Sequence, residues 1–154
     1  MTLEAGKKAP DFDLPTDGNG RVSLKALKGK NVVLYFYPKD DTTGCTAEAQ
    51  AFQAQLKAFA KLGTEIIGLS KDTVAKHDKF KKKYGLTFPL ASDEDGAVCE
   101  RYGTWVEKSL YGRKYMGIER CTFLIGADGK IVQVWRKVKV ANHVAEVLAA
   151  VKAL

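Results

Sequence analysis

The sequence predicts an α/β fold with a central mixed β-sheet, helices on both faces and an N-terminal β-hairpin. Three observations carry this expectation. Apolar runs of strand length alternate with helix-patterned segments over most of the chain, the order that builds parallel βαβ units. Two further strand patterns follow, joined by the turn pair Asp128-Gly129. An amphipathic segment, HVAEVLAAVKAL, closes the chain. The 154 residues contain no linker, low-complexity segment or internal repeat, so residues 1–154 are expected to form one domain around a single sizeable core.

Each element has its own signal. PTDGNGR, from Pro15 to Arg21, is turn-rich between FDL and VSL and predicts the hairpin. NVVLYFYP is a continuous β-branched and aromatic run, so it predicts a central strand buried on both faces and ended by Pro38. After Gly44 the period changes: Phe52, Leu56 and Phe59 fall on one helical face. TEIIGLS is a second buried strand. DTVAKHDKFKKKYG is a polar helix, with Asp72 as N-cap and Gly85 as its stop. FPLASD is expected as a short strand, GAVCERYG as a short helix, and RCTFLIGADGKIVQVW as two strands.

Composition narrows the function. The formal charge is +7, but the lysines are scattered through LKALKGKN, KFKKKYG and WRKVKV with no aromatic stacking platform. Solvated faces are the expectation, and nucleic acid is not an expected partner. No stretch approaches the roughly 18 uninterrupted apolar residues of a membrane span, so no membrane association is expected. MTLEAGKKAPDFDL lacks the apolar core of a secretory signal, and the cytoplasm is the expected location. Three cysteines, an odd count without framework spacing, are then expected to be thiols.

Cys45 stands out among them. It follows the polar loop PKDDTTG and opens a helix. At a helix start the free N–H groups and the positive end of the dipole lie beside the sulfur. Both favour the thiolate, whereas an ordinary thiol is only about 3% ionised at neutral pH. A small buried hydrophobe is the alternative for a free cysteine, and the polar loop argues against it. Thr42 and Glu48 stand three residues before and after Cys45, so there is no C-x-x-C dithiol. His77 and His143 are the only histidines; nothing around them marks a base, and both are expected at the surface. Cysteines and histidines lie far apart in sequence, so neither a metal nor another cofactor is expected. What remains is a thiolate held by hydroxyl, backbone and arginine, suited to a small polar electrophile.

Pro38, Thr42 and Cys45 stand in the spacing P-x-x-x-T-x-x-C, which resembles the peroxiredoxin active-site signature. YFYPKDDTTGCTAEA is similar to the peroxiredoxin Q group, also called bacterioferritin comigratory proteins. KAPDFDLPTDGNGRVSL resembles the group's N-terminal hairpin, and YGTWVEKSLYGRKYMGIERCTFLIGADGKI its C-terminal half. The resemblance covers nearly the whole chain and implies a thioredoxin-like fold and thiol-dependent reduction of hydrogen peroxide and organic hydroperoxides. It implies Cys45 as the nucleophile that becomes a sulfenic acid, with Thr42 bonding the thiolate or the peroxide. It implies Arg120, in GIER, as the cation that favours the thiolate and holds the leaving oxygen. It further implies Pro38 as a pocket wall, backbone N–H groups of Gly44 and Cys45 as a peroxide cradle, and Glu48 as a support for Arg120.

Two departures from the group's pattern stand out. Thr43 stands where proline is common, and the usual resolving-cysteine positions hold Gln50 and Lys81. The resemblance therefore implies a one-cysteine mechanism, with thioredoxin, glutaredoxin or glutathione as external reductant and a monomer or weak homodimer. Cys121 directly follows Arg120 in an expected strand, so it should face away from the pocket. Cys99 is expected to pack as a small hydrophobe; an unusual disulfide from either to Cys45 stays open. The competing function is a redox sensor or binding module that uses the same thiol without efficient turnover.

Overall fold

The structure, a computed structural model, describes residues 3–154. Seven strands form the main sheet: β1 (Asp13–Thr16), β2 (Gly20–Ser23), β3 (Asn31–Phe36), β4 (Thr64–Ser70), β5 (Leu90–Ser92), β8 (Cys121–Ile125) and β9 (Ile131–Trp135). Their spatial order is β2-β1-β5-β4-β3-β8-β9. β3, β4 and β5 are parallel; the β1–β2, β1–β5, β3–β8 and β8–β9 pairs are antiparallel. A smaller two-stranded sheet joins β6 (Trp105–Leu110) to β7 (Arg113–Ile118). Among the described residues there are also five α-helices: α1 (Thr43–Ala54), α2 (Leu56–Lys61), α3 (Val74–Tyr84), α4 (Ala97–Arg101) and α5 (His143–Lys152). None of the described helices is long and apolar enough to cross a membrane.

β3 shows why an uninterrupted apolar run belongs at the centre of the sheet. Successive side chains point to opposite faces. Val32, Leu34 and Phe36 enter one core, with Phe12, Cys99, Tyr102 and Cys121. Val33, Tyr35 and Tyr37 enter the other, with Cys45 and Phe52 of the α1 region, Phe59 of α2, Phe80 of α3 and Val147 of α5. Four helices thus cover one face, while α4 and the N-terminal segment cover the other.

Several elements differ from the sequence expectation. The β6–β7 hairpin was not expected: most of its residues are at least partly exposed, so no strong apolar face marks it. The helix after Cys45 breaks at Gln55 into α1 and α2; Phe52 and Phe59 remain buried. Thr73, not Asp72, caps α3, its side chain accepting from the Lys76 N–H. Asp72 instead bonds into the neighbouring loop, accepting from the Ser70 hydroxyl and the Asp40 N–H. Gly85 does end α3, in the left-handed conformation (φ 65°) that glycine adopts without a Cβ penalty.

Candidate active site

The topology brings Cys45 and Arg120 together from positions 75 residues apart. β3 ends at Phe36, and a short loop leads into α1. Thr42 is the N-cap, with extended backbone, and the first turn of α1 holds Thr43, Gly44 and Cys45. The N–H groups of a first turn have no acceptor within the helix. On the other side, β8 runs antiparallel to β3, with Cys121 opposite Phe36. Arg120 lies immediately before β8 rather than inside it, and so reaches the carboxyl end of β3 where α1 begins.

The contacts there are specific. Arg120 Nη2 donates to Cys45 Sγ at 3.4 Å, and Arg120 Nη1 donates to Glu48 Oε1 at 2.7 Å. One planar guanidinium therefore spans a sulfur and a carboxylate that stand one turn apart on α1. Gly44 permits this approach: a Cβ there would lie 3.1 Å from Arg120 Nη2. Cys45 is 1% exposed and Glu48 0%. Burial pushes the Glu48 carboxyl up to about 7, against the opposing pull of Arg120. Burial pulls at the Arg120 charge too, but Glu48 and Cys45 outweigh it and hold the guanidinium above its ordinary value. Glu48 Oε2 and the hydroxyl of Tyr35 are buried and take no hydrogen bond from the described residues.

The other expected residues lie around this core. The Thr42 hydroxyl donates to the Lys39 carbonyl at 2.9 Å, and Thr42 itself is exposed. Pro38 is exposed at the bend after β3. Gln50 is exposed on α1, and Lys81 pairs with Asp17 at 2.6 Å. Cys99 and Cys121 are fully buried in the core on the opposite side of the sheet from Cys45. Burial drives both thiols up, Cys121 to about 12 and Cys99 further still, and Glu119 and Asp93 add to the effect. Among the described residues no cluster of His, Cys, Asp and Glu could hold a metal ion.

Both histidines contradict their expected surface placement. His143 is buried at the start of α5, its Nε2 2.7 Å from the Thr122 hydroxyl, and burial pushes it down to about 4. His77 is 0% exposed in α3, bonded to Asp40. Burial alone would lower it, but the hydrogen bond and charge of Asp40 prevail and raise it. Lys108 of β6 was also missed: it lies within the field of Arg120 and Cys45, and burial followed by Arg120 lowers its ammonium. No sequence signal pointed to it, because the strand that carries it gave none.

A family model, AhpC/TSA, matches residues 5–134. The chain belongs to the AhpC/TSA family. Its relatives are peroxiredoxins of the Q, or bacterioferritin comigratory, group. The bcp protein of Coxiella burnetii is 55% identical, over 96% of this chain and 98% of its own. Peroxiredoxin Bcp of Bacillus subtilis is 49% identical, over 99% of this chain and 97% of its own. Among solved structures, the bacterioferritin comigratory protein of Xanthomonas campestris, which has alkyl peroxide reduction activity, superposes with a TM-score of 0.91. It is 46% identical and covers 97% of this chain and 98% of its own. The mixed sheet with its helices is thus the thioredoxin-like fold of a peroxiredoxin, and the family is one of thiol peroxidases.

Proposed function

We propose that this chain reduces hydrogen peroxide and organic hydroperoxides through a Cys45 sulfenic acid, by a one-cysteine mechanism. The observation that carries the reading is the Arg120 guanidinium, 3.4 Å from a sulfur in the first turn of a helix. Its positive charge and the positive end of the helix dipole both face the sulfur. The thiolate attacks one peroxide oxygen; the S–O bond forms as the O–O bond breaks. Hydroxide or alkoxide departs and takes up a proton, giving water or alcohol. Arg120 spreads the charge that develops on the leaving oxygen, and the N–H groups of Gly44 and Cys45 hold the substrate. Thr42 bonds the peroxide once its hydroxyl leaves the Lys39 carbonyl, and Pro38 borders the approach. Glu48 keeps the guanidinium in place.

Resolution then requires an outside thiol. Thioredoxin, glutaredoxin or glutathione attacks the sulfenic acid, releases water and leaves a mixed disulfide, which a second thiol reduces. The separation of Cys99 and Cys121 from Cys45 by the sheet supports this route. The alkyl peroxide chemistry of the Xanthomonas campestris protein supports organic hydroperoxides as substrates. The protein works in the cytoplasm as a monomer or weak homodimer. Peroxide consumption with dithiothreitol tests the reading. Cys45→Ser should abolish it while the far-UV circular dichroism and melting transition persist; near-normal turnover would remove Cys45 from the mechanism.

A further inference from the structure

The loop that delivers Cys45 is tied to α3 by a buried polar chain. His77 Nδ1 lies 2.6 Å from Asp40 Oδ2, and His77 Nε2 lies 3.0 Å from the Ala91 carbonyl. The Ala91 carbonyl only accepts, so Nε2 carries an N–H, and a further proton lies in the 2.6 Å contact between Nδ1 and Asp40 Oδ2. The second carboxylate oxygen of Asp40 accepts the Tyr37 hydroxyl at 2.5 Å, and the Asp40 N–H donates to Asp72 at 2.8 Å. Tyr37, Asp40 and Asp72 are the titratable groups that face His77.

The next residue, Asp41, is held at φ 61°, a left-handed conformation that a non-glycine residue keeps only when its surroundings fix it. Its carboxylate accepts from Tyr84 and Lys83, both on α3. On the other side of Asp40, the Lys39 carbonyl receives the Thr42 hydroxyl, directly before the first turn of α1.

We propose that His77 is a positioning residue for peroxide attack: through Asp40 it sets the loop that presents Thr42 and the Cys45 helix start. The inference rests on the peroxidase reading of Cys45. His77 touches neither sulfur nor substrate, and its effect passes through the backbone of residues 39 to 42. A displacement of about 1 Å at a reacting centre can cost on the order of a hundredfold in rate.

Two isosteres separate positioning from packing. His77→Asn places an amide N–H where Nδ1 stands, toward Asp40. His77→Gln places it where Nε2 stands, toward Ala91. The measurements are the second-order rate constant for oxidation of reduced protein by hydrogen peroxide, the rate of Cys45 alkylation by iodoacetamide, and the melting temperature. His77→Gln should lose about tenfold to a hundredfold in the peroxide rate, whereas His77→Asn should recover most of it. Alkylation, which needs the thiolate but not the peroxide geometry, should fall in neither. Equal losses in the two variants, losses that track melting temperature, or parent-like peroxide rates in both would overturn the proposal. A parent protein that fails to react with peroxide would overturn the peroxidase reading as well.

Discussion

At the scale of single residues, the site depends on how near one guanidinium comes to one sulfur. Gly44 controls that distance without touching the chemistry, since an added Cβ would crowd Arg120 Nη2 at 3.1 Å. Alanine is the better helix former by about 1 kcal/mol in a helix interior, and by less in a first turn. Gly44→Ala should therefore melt no lower than the parent, yet lose about tenfold in the rate of peroxide oxidation as Arg120 is displaced. Thermal melting together with stopped-flow kinetics checks both halves; an unchanged rate would mean that the guanidinium tolerates displacement. The contacts of Arg120 with Cys45 and Glu48 join residues that the sequence had singled out, Cys45 through the P-x-x-x-T-x-x-C spacing and Arg120 through GIER. The burial of His77 was not visible. Its partner Asp40 stands 37 positions away and reaches it only through the fold.

At the scale of elements, α5 and β8 meet through a neutral histidine, and this makes stability depend on pH. His143 falls from the ordinary 6.5 to about 4 on burial, so between those values the unfolded chain binds more protons than the folded one. Stability then rises with pH across that window and is lost as pH falls through 4. The full effect is at most about 3 kcal/mol. Glu48 acts with the opposite sign: its carboxyl, raised from 4.5 to about 7, contributes stability that is complete below 4.5 and lost as pH rises through 7. Between pH 4.5 and 6.5 the two slopes oppose each other, so urea unfolding of the parent should show only a shallow pH dependence there. His143→Gln keeps a group facing Thr122 but cannot titrate, so it should uncover the Glu48 decline as pH rises from 4.5 to 7; a parent-like profile would assign the balance to other groups. The strands and helices of the main sheet were legible because each buries a face and so carries a period. The exposed β6–β7 hairpin carries none, and no glycine or proline marks the break at Gln55.

At the scale of the whole molecule, the sheet sorts the three thiols. Cys45 packs on the face covered by α1, α2, α3 and α5, while Cys99 and Cys121 pack on the other. The parity of β8, with Cys121 paired to Phe36, was readable from sequence even though Arg120 proves to lie just outside the strand. The placement of Cys99 rests on α4 packing beneath the sheet, which no local pattern specifies. A sulfenic acid at Cys45 thus has no second cysteine on its own side of the sheet, and burial holds the two remote thiols in the un-ionised, weakly nucleophilic form. The oxidised enzyme should persist until an outside thiol reaches it, and excess peroxide should carry it on to the sulfinic acid. The direct test is the intact mass of fully reduced protein after one equivalent of hydrogen peroxide, with dimedone present in a parallel sample. The account predicts the gain of one oxygen, captured by dimedone at Cys45. The loss of two hydrogens, with peptide mapping that joins Cys45 to Cys99 or Cys121, would contradict it.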